Sequence, residues 1–248
     1  MTVLLDRRDG IGIVTINLPE RRNSLTTSMS AQLVEHVRAC EQDEAVHAIV
    51  VTGAPPAFCA GADLTALGEA KEDGLRAIYA GFLAVAGSAL PTVAAVNGPA
   101  VGAGLNLALA CDVRLAGPDA RFDARFMQIG IHPGGGMTWL AQQLTGPQTT
   151  AAMTLFGQVL DADEAVRTGL AFRKADDVVA AAIELCAATA AAPRDLVLAT
   201  KRTLRTTAAY HRHDEAVETE LVAQLASMET PAFAELLSAM RERISRQA

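Results

Sequence analysis

Apolar and polar residues alternate over residues 3–5 and 12–17, on either side of Arg7-Arg8-Asp9-Gly10, and this period of two predicts a β-hairpin. Met29, Leu33, Val34 and Val37 then recur at helical spacing behind a Ser/Thr-rich start suited to an N-cap, which predicts a helix over 26–40. The unbroken apolar run 48–52 reads as an interior strand ending in a Gly-Ala-Pro-Pro loop. A helix over about 73–90 leads through Pro91 into a second buried strand at 92–96. A glycine-rich turn, a helix over 105–111 and a strand over 113–116 follow. Buried strands alternating with helices predict an α/β architecture with mainly parallel interior strands. From Asp161 onward the pattern is almost wholly helical: Ala-rich over 178–192, broken at Pro193 and amphipathic over 196–205. The Ala-Ala-Pro-Arg stretch is the candidate internal boundary, and it lacks the length and polarity of a flexible linker.

Composition narrows the function classes. With 248 residues, 50% of them hydrophobic, the chain can bury a large core. The 21 Lys+Arg against 28 Asp+Glu give a net charge of −7, so neither nucleic acid nor an anionic membrane is an expected partner, and an anionic ligand must be met by local groups. Cys40, Cys59, Cys111 and Cys186 are widely spaced, with no C-x-x-C pair and no histidine at ligand spacing. They predict reduced thiols in a cytoplasmic protein and argue against a metal site. The first residues carry no apolar h-region and no apolar run reaches the ~20 residues that span a bilayer, so neither a targeting segment nor a membrane span is expected.

Two glycine turns carry the candidate chemistry. Gly61-Ala-Asp and Gly102-Ala-Gly each follow a buried strand and open a helix. Glycine permits backbone conformations and close approaches that side chains forbid, and the first turn of a helix leaves amide N–H groups without partners. Two such turns can aim two amides at one oxygen, aided by the helix dipole, as stabilising an enolate-like thioester oxygen requires. Each alone also reads as a tight strand-to-helix turn.

Together with their flanks, Phe58-Cys-Ala-Gly-Ala-Asp-Leu64 and Ala95-Val-Asn-Gly-Pro-Ala-Val-Gly-Ala-Gly-Leu-Asn-Leu-Ala-Leu-Ala-Cys-Asp112, the turns resemble the paired oxyanion-hole signature of the crotonase (enoyl-CoA hydratase/isomerase) superfamily. Pro19-Glu-Arg-Arg-Asn-Ser-Leu25 and Ile129-Gly-Ile-His-Pro-Gly-Gly-Gly136 fall in the family's order and approximate spacing, so the resemblance covers nearly the whole chain. It implies a crotonase-like spiral of ββα units with a C-terminal helical region. The expected organisation is an acyl-CoA-binding core over 1–192 and a helical oligomerisation region over 193–248, one continuous module in a homotrimer or a dimer of trimers. The implied ligand is an acyl-CoA or enoyl-CoA, with coenzyme A entering as part of the substrate and no separate cofactor.

Carried over residue by residue, the resemblance makes the backbone amides of Ala62 and Ala103 the oxyanion hole. It assigns the chain at Ala60, Ala62, Asp63 and Leu64 to adenine and pantetheine, with Gly61 and Gly102 as the turn glycines beside them. Arg21 or Arg22, and Lys201 on the C-terminal helix, resemble cations near the CoA phosphates; each also reads as an ordinary surface cation.

Two departures bear on the reaction. The positions where the family's hydratases carry glutamates fall on Asn106 and Phe126, and neither an amide nor a phenyl ring accepts and returns protons near pH 7. General acid–base groups contribute about 10²–10⁴ in rate, so efficient classical hydration is not expected. Asp123, which would share a face with Phe126 if that segment is helical, and His132, beside the Pro-Gly-Gly-Gly turn, are substitutes; a solvated charge and a loop-fixing histidine are the alternatives. Asp63 is a proton carrier or a helix cap. Some isomerase-like relatives carry an acid just after the proline, where this chain has Gly134. Phe122, Phe126, Met127, Trp139 and Leu140 read as core packing or as the lining of an acyl pocket with Phe126 in place of the acid. The chain has no Gly-x-Ser-x-Gly elbow, no fitting G-x-G-x-x-G fingerprint and no P-loop. Two readings stand. One is an acyl-CoA-processing lyase or isomerase of fatty-acid or related acyl metabolism that stabilises a thioester enolate; the other is a non-catalytic acyl-CoA-binding protein on the same fold. Asn106 serves either, by positioning water or by hydrogen-bonding the ligand.

Overall fold

The alternating N-terminal segments pair as an antiparallel hairpin, β1 (Val3–Arg8) and β2 (Ile11–Ile16), with Arg8 opposite Ile11. Asp9 and Gly10 make the connection at φ 49° and 79°, the left-handed pair that suits a two-residue turn between twisted strands. Thr26 caps α1 (Thr27–Gln42), its hydroxyl accepting from the Met29 amide at 3.2 Å. In this computed structural model, residues 2–63, 67–68 and 71–247 are described.

The apolar runs become the interior of a six-stranded sheet, which also contains β3 (Ala48–Gly53), β4 (Thr92–Val96), β6 (Val113–Ala116) and β9 (Arg173–Lys174), in the order β1-β2-β3-β4-β6-β9. Every pairing from β2 onward is parallel, as the alternation of strand and helix requires. Both faces are covered, which is why these strands read as unbroken apolar runs. Ile13, Val50, Ala95 and Leu115 on one face pack against Val178, Ala182 and Cys186 of α6 (Val178–Ala191).

A second, three-stranded sheet joins β5 (Pro99–Val101), β7 (Arg121–Asp123) and β8 (Leu160–Asp161). It was not anticipated, because strands of two or three residues are too short to show a period. Between the strands lie α2 (Glu72–Gly87), α3 (Ala103–Ala110), α4 (Met137–Leu155) and α5 (Ala162–Arg167). α4 was not anticipated either; it bends at Gly146 (φ 75°) ahead of Pro147.

The chain divides into two compact units, Met1–Ala190 and Ala191–Ala248. The second contains α7 (Arg194–Thr207), α8 (His213–Met228) and α9 (Pro231–Gln247). Among the described residues no helix is long and apolar enough to cross a membrane, and no cluster of His, Cys, Asp and Glu could hold a metal ion. All four cysteines are buried and none forms a disulfide.

One packing expectation needs correction. Of Phe122, Phe126, Met127, Trp139 and Leu140, only Phe122 is buried in the core; Met127 and Trp139 are 50% and 64% exposed. Phe126 and Met127 sit in a short 3-10 turn, Phe126–Ile129, that leaves the second sheet and runs over the surface.

Candidate active site

Backbone pairing brings the two glycine turns together. The segment entering the first turn is joined to β5 by Cys59 N–H donating to Pro99 O at 3.0 Å and Val101 N–H donating to Cys59 O at 2.9 Å. No side chain fits between the turns there: a Cβ on Gly104 would overlap the Cys59 carbonyl. On its other side the segment pairs with Leu25, which donates to Gly61 O at 2.7 Å and accepts from Asp63 N at 2.9 Å. In a trans peptide the C=O and N–H point oppositely, so a Gly61 carbonyl turned toward Leu25 directs the Ala62 N–H away from it.

The second turn reaches the same place by a different route. Gly102 adopts φ 52°, ψ −112°, a conformation open to glycine, and its amide donates to Asp123 O at 2.9 Å. α3 then starts at Ala103. The Asn106 amide donates to Gly102 O at 3.0 Å, so the Ala103 amide precedes the first intrahelical bond. Neither the Ala62 nor the Ala103 amide donates a hydrogen bond among the described residues.

Both turns form a wall of a cavity of about 490 Å³, which is lined also by Leu75, Ile78 and Tyr79 of α2, by Asn106 of α3, and by the chain from Ala124 to Gly134. Much of the lining is apolar: Leu67, Leu75, Ile78, Val101, Phe126, Ile129 and Ile131. Its side-chain polar groups, among the described residues, are Tyr79, Asn106, Arg125 and His132, and none of these is a carboxylate.

The structure brings together Ala60, Gly61, Ala62, Gly102, Ala103, Asn106, Phe126 and His132 from the sequence-expected set, all at the cavity. Asn106 is 2% exposed, donates from Nδ2 to Gly134 O at 3.0 Å and keeps Oδ1 buried without a partner. His132 is exposed, with Nδ1 2.7 Å from Pro133 O. A carbonyl only accepts, so Nδ1 carries the proton and Nε2 is the acceptor of the neutral ring.

Asp123 is placed otherwise. The helical segment that would align it with Phe126 does not form: Asp123 ends strand β7 and Phe126 opens the 3-10 turn. Its buried carboxylate faces Arg125, whose Nε donates to Oδ2 at 2.8 Å, and it is not among the described residues that line the cavity. Arg125, left-handed at φ 60°, lines the cavity in its place.

The Asp63 carboxylate pairs with Arg21 at 2.9 Å, on the surface side of the first turn, and the Asp63 carbonyl accepts from Leu67 N at 2.8 Å. Arg22 is exposed and its carbonyl accepts from the Ala60 amide at 3.0 Å. Lys201 is buried on α7 in the C-terminal unit. Leu64 lies outside the described residues.

Two residues were missed. Asn23, fully buried at φ 60°, accepts from Leu18 N and donates to Ala54 O and Ala57 O at 2.7 Å each, tying the turn that carries Arg21 and Arg22 to the loop leading into Phe58. Its left-handed backbone suits asparagine, but no local pattern marked it. Tyr79 reads in sequence as one more aromatic on an amphipathic helix.

Comparison with known proteins agrees with this arrangement. The chain is 53% identical over 250 residues to the "Probable enoyl-CoA hydratase EchA14" of Mycobacterium tuberculosis, covering 97% of this chain and 98% of the relative. It is 35% identical over 176 residues to the 1,2-epoxyphenylacetyl-CoA isomerase of Escherichia coli, covering 68% of this chain and 67% of that protein. The crystal structure of enoyl-CoA hydratase from Bacillus anthracis superposes with a TM-score of 0.91 at 25% identity, over 98% of this chain and 97% of that one. The α/β architecture, with its two sheets and C-terminal helices, is thus the crotonase fold. The family model described as enoyl-CoA hydratase/isomerase matches residues 6–245, and the chain belongs to that family.

Proposed function

We propose that this acyl-CoA enzyme acts by stabilising a thioester enolate, with the Ala62 and Ala103 amides donating to the thioester oxygen as negative charge develops there. The observation that carries this reading is the pair of partnerless backbone donors on one wall of an apolar cavity. Donors fixed in place before the reaction need no reorganisation during it, and removing one such donor costs about 10²–10³ in rate. The cavity's Leu75, Ile78, Phe126 and Ile129 suit an apolar acyl group, as in fatty-acid or related acyl metabolism. Ala60, Ala62 and Asp63 would meet adenine and pantetheine, with Gly61 and Gly102 as the turn glycines beside them, and Arg21 or Arg22 would meet the CoA phosphates. The Arg21–Asp63 pair supports a role for Asp63 in holding the first turn rather than in moving protons.

With an amide and a phenyl ring at the two expected glutamate positions, efficient classical hydration is not the proposed reaction. A lyase or isomerase step with proton transfer by groups other than carboxylates fits the described lining better. The same lining favours one second reading, acyl-CoA binding without chemistry. Incubating the protein with a panel of enoyl-CoA thioesters in deuterated water, while following product mass and ligand affinity, separates the two. Deuterium uptake or added water supports the enzyme; tight binding of unchanged ligand across the panel supports the binding protein; no binding overturns both.

The proposed assembly is a homotrimer or a dimer of trimers. In support, Leu236, Met240 and Ile244 repeat every four residues on α9 and are exposed in the single chain. Sedimentation of a monomer would overturn it.

A further inference from the structure

Tyr79 is a polar residue of the cavity that the oxyanion reading leaves unused. Its ring is held by Phe82 one helical turn along α2, with centroids 5.4 Å apart and planes tilted by 42°, and Phe82 is itself buried. The hydroxyl stands over Gly134, where an added Cβ would overlap it. No hydrogen-bond partner of the phenol is found among the described residues, so its O–H is available to a bound molecule. Gly134 is glycine here for space: its φ lies outside the left-handed region.

The same residue holds Asn106. Its carbonyl accepts from Nδ2, and Oδ1 is buried without a partner. The Tyr79 phenol and the Asn106 amide thus meet at Gly134. Of the polar groups at the cavity, an amide does not exchange protons near neutrality and a guanidinium does not release one, and that of Arg125 is already engaged with Asp123. His132 sits exposed at the cavity. Tyr79 is the half-buried member of the set that can give up a proton and take it back.

We propose that Tyr79 is the proton carrier of this site, its Oη–H protonating the carbon next to the thioester of a bound acyl-CoA enolate. The inference rests on the acyl-CoA reading above. In the step, the Oη–H bond breaks and a C–H bond forms. The C=C pair of the enolate forms the C–H bond while an oxygen pair re-forms the thioester C=O, and the phenolate left behind is reprotonated from water. In reverse the phenolate takes the carbon proton and the two amides meet the enolate oxygen, so the residue catalyses exchange with solvent.

The test is deuterium exchange into butyryl-CoA in deuterated water, read by mass spectrometry alongside its affinity by calorimetry, for the wild type and Tyr79→Phe. The expected result is retained affinity and exchange slowed by about 10²-fold or more in the variant. Gly134→Ala, which keeps the phenol but pushes it off its seat, should slow exchange likewise, and serves if Tyr79→Phe does not fold. Exchange that survives both substitutions overturns the proposal in favour of another carrier such as His132. Wild-type binding without exchange also overturns it while leaving the acyl-CoA reading intact. Failure of the wild type to bind butyryl-CoA overturns both.

Discussion

The Asn106 side chain donates from Nδ2 to the Gly134 carbonyl at 3.0 Å, and this bond fixes the orientation of the amide. A carbonyl can only accept, so the NH₂ faces Gly134 and Oδ1 is the end without a partner. A ligand group that reaches Oδ1 must be a donor, such as a hydroxyl or a water. Asn106→Leu should weaken binding of 3-hydroxybutyryl-CoA by about tenfold, the worth of one neutral hydrogen bond, and leave butyryl-CoA affinity unchanged. Equal losses for the two ligands, measured by calorimetry, would show that Oδ1 does not meet the acyl group.

Proline is tolerated at the first position of a helix, so Ala103→Pro removes the amide donor at little cost to α3. Turnover of a responsive enoyl-CoA should fall by about 10²-fold, with the circular dichroism spectrum unchanged. Unchanged kinetics in a folded variant would remove Ala103 from the oxyanion hole.

Positions 106 and 126 line one cavity, so two introduced carboxylates would face the same ligand. Asn106→Glu combined with Phe126→Glu should raise crotonyl-CoA hydration by about 10²-fold or more. A folded, ligand-binding double variant with no gain would mean that these positions do not account for the reaction class.

Gly135 has φ 68°, and a Cβ there would come within 2.5 Å of Phe82 Cζ and 2.8 Å of Asn106 Nδ2. Left-handed strain and overpacking add, so Gly135→Ala should destabilise the fold by about 2–4 kcal/mol in urea unfolding. Stability within about 0.5 kcal/mol of wild type would show that the loop shifts freely.

Burial pushes the Cys59 thiol up to about 12 and those of Cys40 and Cys186 to about 11, from an ordinary 9.0. Their folded pKa values lie above the unfolded one, so the unfolded chain loses protons first. The stability they contribute is complete below pH 9, declines above it and is lost as pH rises through the folded values. Unfolding free energy should therefore drop between pH 9 and 11, and less steeply for Cys40→Ala compared at matched pH. At neutral pH iodoacetamide should label these thiols only after denaturation.

The interior strands were legible because sheet burial on both faces leaves long apolar runs, as at Ile49, Val50 and Val51. β5 and β8 were not, since three and two residues carry no period. α4 gave no usable pattern, bent as it is by Gly146 and Pro147.

The sequence by itself determined the part of the site that is a property of a local segment: Gly102-Ala103 needed only a glycine turn and a helix start to mark a free amide, whereas the Ala62 amide is left free by the pairing of Leu25 with Gly61 and Asp63. Tertiary structure decided which side chains face the space between them. It turned Asp123 toward Arg125, tied the Asn106 amide to Gly134 and put the Tyr79 hydroxyl on the same glycine. Tyr79 and Gly134 stand 55 positions apart in the chain, and their meeting depends on how α2 packs against the loop from Ala124 to Gly134. No local periodicity encodes that distance, because the direction of a side chain is fixed by the packing of its element as a whole.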